Sequence, residues 1–118
     1  MAQSSKAQLP PGFTLTRTGN THDFDYFAGA WTTNQRRLKA RGAASVAWEE
    51  FPATQCLTLY LGGAATIDEM WMPTKGVAGL TLRTFDPAKR QWSIYWVSSR
   101  TGQLDPVPTV GGFHGNHG

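Results

Sequence analysis

Alternation is the clearest pattern in this chain. Over 91–99 (QWSIYWVSS), Trp92, Ile94 and Trp96 fall on one face of an extended segment and Tyr95 and Val97 on the other. Over 79–85, Leu80, Leu82 and Thr84 alternate with Thr81, Arg83 and Phe85. Over 56–61, Leu57, Leu59 and Leu61 oppose Cys56, Thr58 and Tyr60, and over 45–51 Val46 and Trp48 oppose Ser45, Ala47 and Glu49. Segments 31–39 and 66–72 are mixed runs of the same length. Pro52-Ala53, Gly62-Gly63, Pro73-Thr74-Lys75-Gly76 and Asp86-Pro87 separate these runs as turns. The pattern predicts an all-β, antiparallel up-and-down meander of about six strands. Several strands carry large apolar residues on both faces, which suits a barrel wall better than a sheet with one wet face.

The ends of the chain read differently. Residues 1–21, rich in Ser, Thr, Gly, Gln and Pro around Pro10-Pro11-Gly12, read as a flexible or loosely docked arm. The segment HDFDYF that follows predicts one helical turn closing an end of the β structure, with Asp23 or Asp25 as its cap. At the other terminus VPTVGGFHGNHG begins like a strand and stops in glycines. Two explanations remain open: pairing with a second copy through sheet edges, or a chain that is the front portion of a longer barrel.

Composition narrows the class. The chain has 118 residues, 40% hydrophobic and 16% charged, which fits one globular domain and excludes a disordered chain. No apolar run approaches the roughly 18–20 residues of a membrane helix, and the first residues lack the apolar core of a secretory leader. The expectation is a cytoplasmic protein with no membrane partner. Cys56 is the single cysteine, so disulfides and multi-cysteine metal sites are out; in an apolar strand it reads as a buried structural residue. The net charge of +3 is too modest to name a partner. Arg36, Arg37, Lys39 and Arg41 cluster, with Arg37, Lys39 and Arg41 on one face. We read them as a solvated strand face that discourages edge pairing, in preference to a phosphate site, and expect no nucleic-acid partner.

Candidate chemistry is sparse. Nucleotide-binding and zinc-finger patterns are absent. The doublets Glu49-Glu50 and Asp68-Glu69 point to opposite faces, so neither is a dyad; an inward Glu50 or Glu69 near Arg83 would form a lumen ion pair. With Arg83 or Tyr60, those carboxylates are the acid/base set a lyase, isomerase or cyclase would need. His114 and His117 are a candidate metal pair, but two ligands do not make a site. The aromatics Trp48, Tyr60, Trp71, Trp92, Tyr95 and Trp96 either fill a core or line a pocket for a small hydrophobic molecule, with Arg83 as polar anchor. A non-catalytic binder without a cofactor is the expectation; an enzyme, or a shortened domain acting only through self-association, are the alternatives.

The stretches HDFDYFAGAWTTNQRRLKARG (22–42), WEEF (48–51), LGGAATIDEM (61–70) and LRTFDPAKRQWSIYWVSSRTGQLDP (82–106) resemble a bacterial family of small proteins. Its members carry a domain of unknown function and a calycin-like, lipocalin-type β-barrel. The resemblance implies that 22–118 is the N-terminal and central part of such a barrel, lacking its last strands, with Trp31 plugging the closed end. Family members continue for several strands past the Gly-Gly-Phe region and place acidic residues and glycines where this chain has His114 and His117. Relatives that bind haem imply a histidine as axial ligand. The family carries no established activity.

Overall fold

The computed structural model describes residues 18–40, 46–115 and 117–118. Most of the predicted arm therefore lies outside the described residues, as do Arg41 and Ser45. Six strands form one antiparallel sheet: β1 (Gly29–Leu38), β2 (Trp48–Tyr60), β3 (Ala65–Met72), β4 (Val77–Asp86), β5 (Gln91–Ser98) and β6 (Thr109–Gly111). Neighbours in sequence are neighbours in space, in the order β1-β2-β3-β4-β5-β6, and the meander curls into a half-barrel.

The six strands are not divided as the sequence suggested. Pro52 does not end a strand; β2 runs straight through it for 13 residues. β3 reaches only as far as Met72, and its register with β2 begins at Thr54, so Pro52 lies where β2 has a partner, Asn34, on one side only. A residue without N–H is tolerated there. The sixth strand is instead the three-residue β6, from the terminal segment that begins like a strand and stops in glycines.

Register assigns the faces. Gln55, Leu57, Asp68, Thr81, Arg83, Trp92 and Trp96 belong to the inner face, which carries the buried residues. Phe51, Ala53, Met72 and Val77 form its core cluster, with Met70 and Trp96 packed against them. Trp96 lies flat on the backbone of β4. A Cβ placed on Gly79 would sit 1.8 Å from its Cη2, so only glycine leaves room for the ring.

The predicted helical turn is a 3-10 turn, Asp25–Phe27, at the end of the sheet where β1 begins. Asp23 does not cap it. Its carboxylate accepts from Asn20 N–H (2.8 Å) and Trp92 Nε1 (3.2 Å), while Asp25 pairs with His22 (2.8 Å). Residues 18–21 are docked: Gly19 N–H donates to Arg90 O (2.8 Å), Trp92 Nε1 also donates to Asn20 O (3.2 Å), and Thr18 Oγ1 donates to Phe113 O. Phe24 meets Trp92 and Phe113 edge to face, at 4.9 and 5.3 Å between centroids. Both terminal segments thus close the same end. Trp31 is at that end too, its ring stacked on Phe27 at 5.6 Å, yet it is 41% exposed.

Gly79→Ala is expected to expel the Trp96 ring from β4 and to cost about 1–3 kcal/mol, the range for overpacking. Urea denaturation with tryptophan fluorescence measures both effects; an unchanged midpoint and spectrum would show that the ring does not rest there.

Candidate functional site

The inner wall carries a buried polar network beside its apolar cluster. Asp68 is 1% exposed and has both oxygens occupied: Oδ1 accepts from Arg83 Nη1, and Oδ2 accepts from Gln55 Nε2 at 2.7 Å. Three adjacent strands supply these groups: β2 gives Gln55, β3 Asp68 and β4 Arg83. A buried carboxylate needs both partners, because its desolvation costs several kcal/mol. Thr66 Oγ1 lies 3.5 Å from Arg83 Nη1, and the Phe24 ring covers the guanidinium at 4.9 Å, a cation–π arrangement. Arg83 Nε is buried as well and has no hydrogen-bond partner among the described residues. A donor in that state is unusual in a folded protein.

The aromatic residues expected at one site divide between two faces. Arg83, Trp92 and Trp96 are on the inner wall; Trp48, Tyr60, Trp71 and Tyr95 share the outer face with Cys56. Trp92, at 1% exposure, is core. Trp96 is half-buried along the wall. Trp48, Tyr60 and Trp71 are exposed, and Arg36 lies over the Trp48 ring at 4.4 Å.

Two expectations about charge and burial need correcting. One member of each acidic doublet does face inward, but it is Glu49 and Asp68; Glu50 and Glu69 face out, as does Tyr60, so these residues and Arg83 do not form one acid/base set. Cys56 is exposed, because Leu57 takes the inward position beside it. A shallow cleft of about 410 Å³, mainly on the outer side, is lined in part by Ala30, Thr54, Cys56, Glu69 and Trp71, and Gln55 of the network also borders it. His114 and His117 face each other across a tight turn, with His114 N–H donating to His117 O at 2.7 Å. Among the described residues, no three His, Cys, Asp or Glu side chains gather as metal ligands.

The sequence reading missed Asp68, Gln55 and Phe24 as members of the network. The alternation Thr66-Asp68-Met70-Met72 was the available signal for Asp68, since two inward methionines select its side of the doublet. Gln55 and Phe24 carried no such signal.

The end of the half-barrel opposite the 3-10 turn is charged. Glu49 accepts from Arg37 Nη2 (2.6 Å) and Nε (2.8 Å) and from Lys75 Nζ. Both cations also lie against the Phe51 ring, at 5.3 and 5.2 Å. The bond from Lys75, then that from Arg37, holds the Glu49 carboxyl below its ordinary value of 4.5.

No family model, curated protein or solved structure matches this chain. No helix among the described residues is long and apolar enough to cross a membrane.

Because folding lowers the Glu49 value, the unfolded chain takes up this proton first as the solution is acidified. The contribution of the bridge is complete above the ordinary value of 4.5 and is lost as pH falls through the lower, folded-state value. Urea unfolding of wild type and Glu49→Gln across that range should show a stability difference that closes on acidification; a difference independent of pH would remove the bridge as its source. In the network, Arg83→Met leaves Asp68 buried and uncompensated, at an expected cost of about 3–5 kcal/mol. Adding Asp68→Asn should recover part of that loss, and the double-mutant cycle reports the coupling.

Proposed function

We propose that this half-barrel is a non-catalytic binding module for a small hydrophobic or aromatic molecule bearing one hydrogen-bond acceptor, held on the inner wall. The observation that carries the reading is the buried Arg83 Nε, without a hydrogen-bond partner among the described residues, on the same inner face as Trp96. The apolar body of the ligand would lie against Trp96, and its acceptor would take the Arg83 donor as Phe24 moves aside. Such sites combine apolar surface with a few fixed polar groups, and Trp96 and the Asp68–Arg83 pair supply one of each on this wall. Asp68 already neutralises the guanidinium, so a carbonyl or hydroxyl suits the anchor as well as a carboxylate does. Membership in the bacterial calycin-like family is part of the same proposal, and the half-barrel meander is compatible with it. So is a cytoplasmic location, where the exposed Cys56 thiol stays reduced.

The test is a fluorescence titration with 1-anilinonaphthalene-8-sulfonate, an aromatic body with an anionic acceptor. Trp96→Ala should weaken binding about tenfold, a change of about 1.4 kcal/mol, while the protein still unfolds cooperatively in urea. Trp71→Ser, on the outer face, should leave binding unchanged. Equal loss of folding and binding in Trp96→Ala would make the ring a core residue only, and loss in Trp71→Ser would move the site to the outer face.

A further inference from the structure

The two edges of the sheet differ. β6 is three residues long, and the chain beyond it is covered: Thr18 Oγ1 donates to Phe113 O, and Gly112 lies against Gly19. β1, by contrast, presents 10 residues with a partner on one side only among the described residues. An antiparallel edge strand turns half of its N–H and C=O groups toward whatever lies beside it. Proteins normally protect such an edge with charge, proline or a bulge. Residues 29–35 contain none of the usual charges or prolines. The two arginines that follow do not guard the edge either. Arg36 is folded back over Trp48, and Arg37 is bonded to Glu49, both on β2.

We infer that the β1 edge is the interface for a second copy of this chain, joined antiparallel about a two-fold axis at Asn34. The register follows from three constraints. A two-fold axis between antiparallel strands passes through the sheet and keeps the inner faces of both copies on one side. Opposed residue numbers must therefore have an even sum, which excludes full overlap of Gly29 with Leu38. Centring on Thr33 would end the new ladder on Gly29, which closes the β1–β2 ladder opposite Leu57 with a φ of 114°, outside the extended range. Centring on Asn34 pairs residues 30–38 of each copy instead. That register opposes no like charges: Arg36 meets Thr32, and Arg37 meets Trp31. The inner wall then continues from one copy into the next, and each copy brings Trp31 and Arg37 to its partner's open side. This inference does not depend on the ligand reading, and its test uses no ligand.

In this register residue 34 faces itself on the outer, solvent-accessible side. Sedimentation or native mass spectrometry of the whole chain should show a concentration-dependent dimer. Asn34→Lys and Asn34→Glu should each weaken it about fivefold, the effect of one unfavourable cross-strand pair. An equimolar mixture of the two variants should form the heterodimer preferentially. Cooperative urea unfolding of each variant checks that its monomer is folded. In a Cys56→Ser background, Asn34→Cys should cross-link between copies faster than Arg36→Cys. A wild-type chain that stays monomeric throughout overturns the proposal; so does a dimer indifferent to both charges, or a mixture with no preference.

Discussion

A carboxylate at 1% exposure in the middle of a sheet ties three strands to one register. Asp68 is tolerable there only while Arg83 reaches it from β4 and Gln55 from β2. A slip of β3 by one residue would turn Asp68 outward, bring Ile67 or Glu69 in, and leave Arg83 without a counter-charge. The pair's net contribution to stability is small, since desolvation consumes most of the attraction. Its larger effect is to make every neighbouring register costly. The wall therefore has a defined polar point as a consequence of how the strands are aligned.

The two ends of the half-barrel are held by different physics. At one end the rings of Phe24, Phe85, Trp92 and Phe113 interlock, with Trp92 at their centre and its indole N–H satisfied by Asn20 and Asp23. These contacts join both terminal segments to the start of β5, and burial of aromatic surface makes them insensitive to salt. At the other end Glu49, Arg37 and Lys75 surround Phe51, and they are partly exposed and open to screening. The aromatic end also covers Arg83, through Phe24.

Strand positions and the two faces of each strand were legible in the sequence wherever alternation was strict. Leu80 and Leu82 do oppose Thr81 and Arg83, and Trp92 and Trp96 do share a face. Which face points inward was not legible. Both carry large apolar residues, and the inner one holds Asp68, Arg83 and Gln55, which by composition alone look like solvent-facing groups. Hence the aromatic residues expected together are divided by the sheet, and Glu69 rather than Asp68 was the candidate partner of Arg83. Pro52 misled for a related reason. A proline's cost depends on whether a strand lies on its N–H side, and that depends on where β3 ends. The docking of residues 18–21 was beyond sequence reasoning too, because their partners Arg90 and Trp92 are some 70 positions away.

The remaining tension in the structure is between a satisfied wall and an unsatisfied boundary. Among the described residues the buried apolar set is small, and Trp31, Trp48, Tyr60 and Trp71 stay exposed. Curling lets one face cover part of itself, but a meander cannot by itself cover both of its edge strands. Here β6 is short and its continuation is covered by residues 18–19, so among the described residues the free hydrogen-bonding capacity is concentrated on β1. The arginines that would ordinarily keep such an edge solitary are engaged with Trp48 and Glu49 instead. Arg36 and Arg37 thus stabilise the β1–β2 pair at the expense of shielding β1. The residues that complete the charged end are the same ones whose engagement leaves the edge bare.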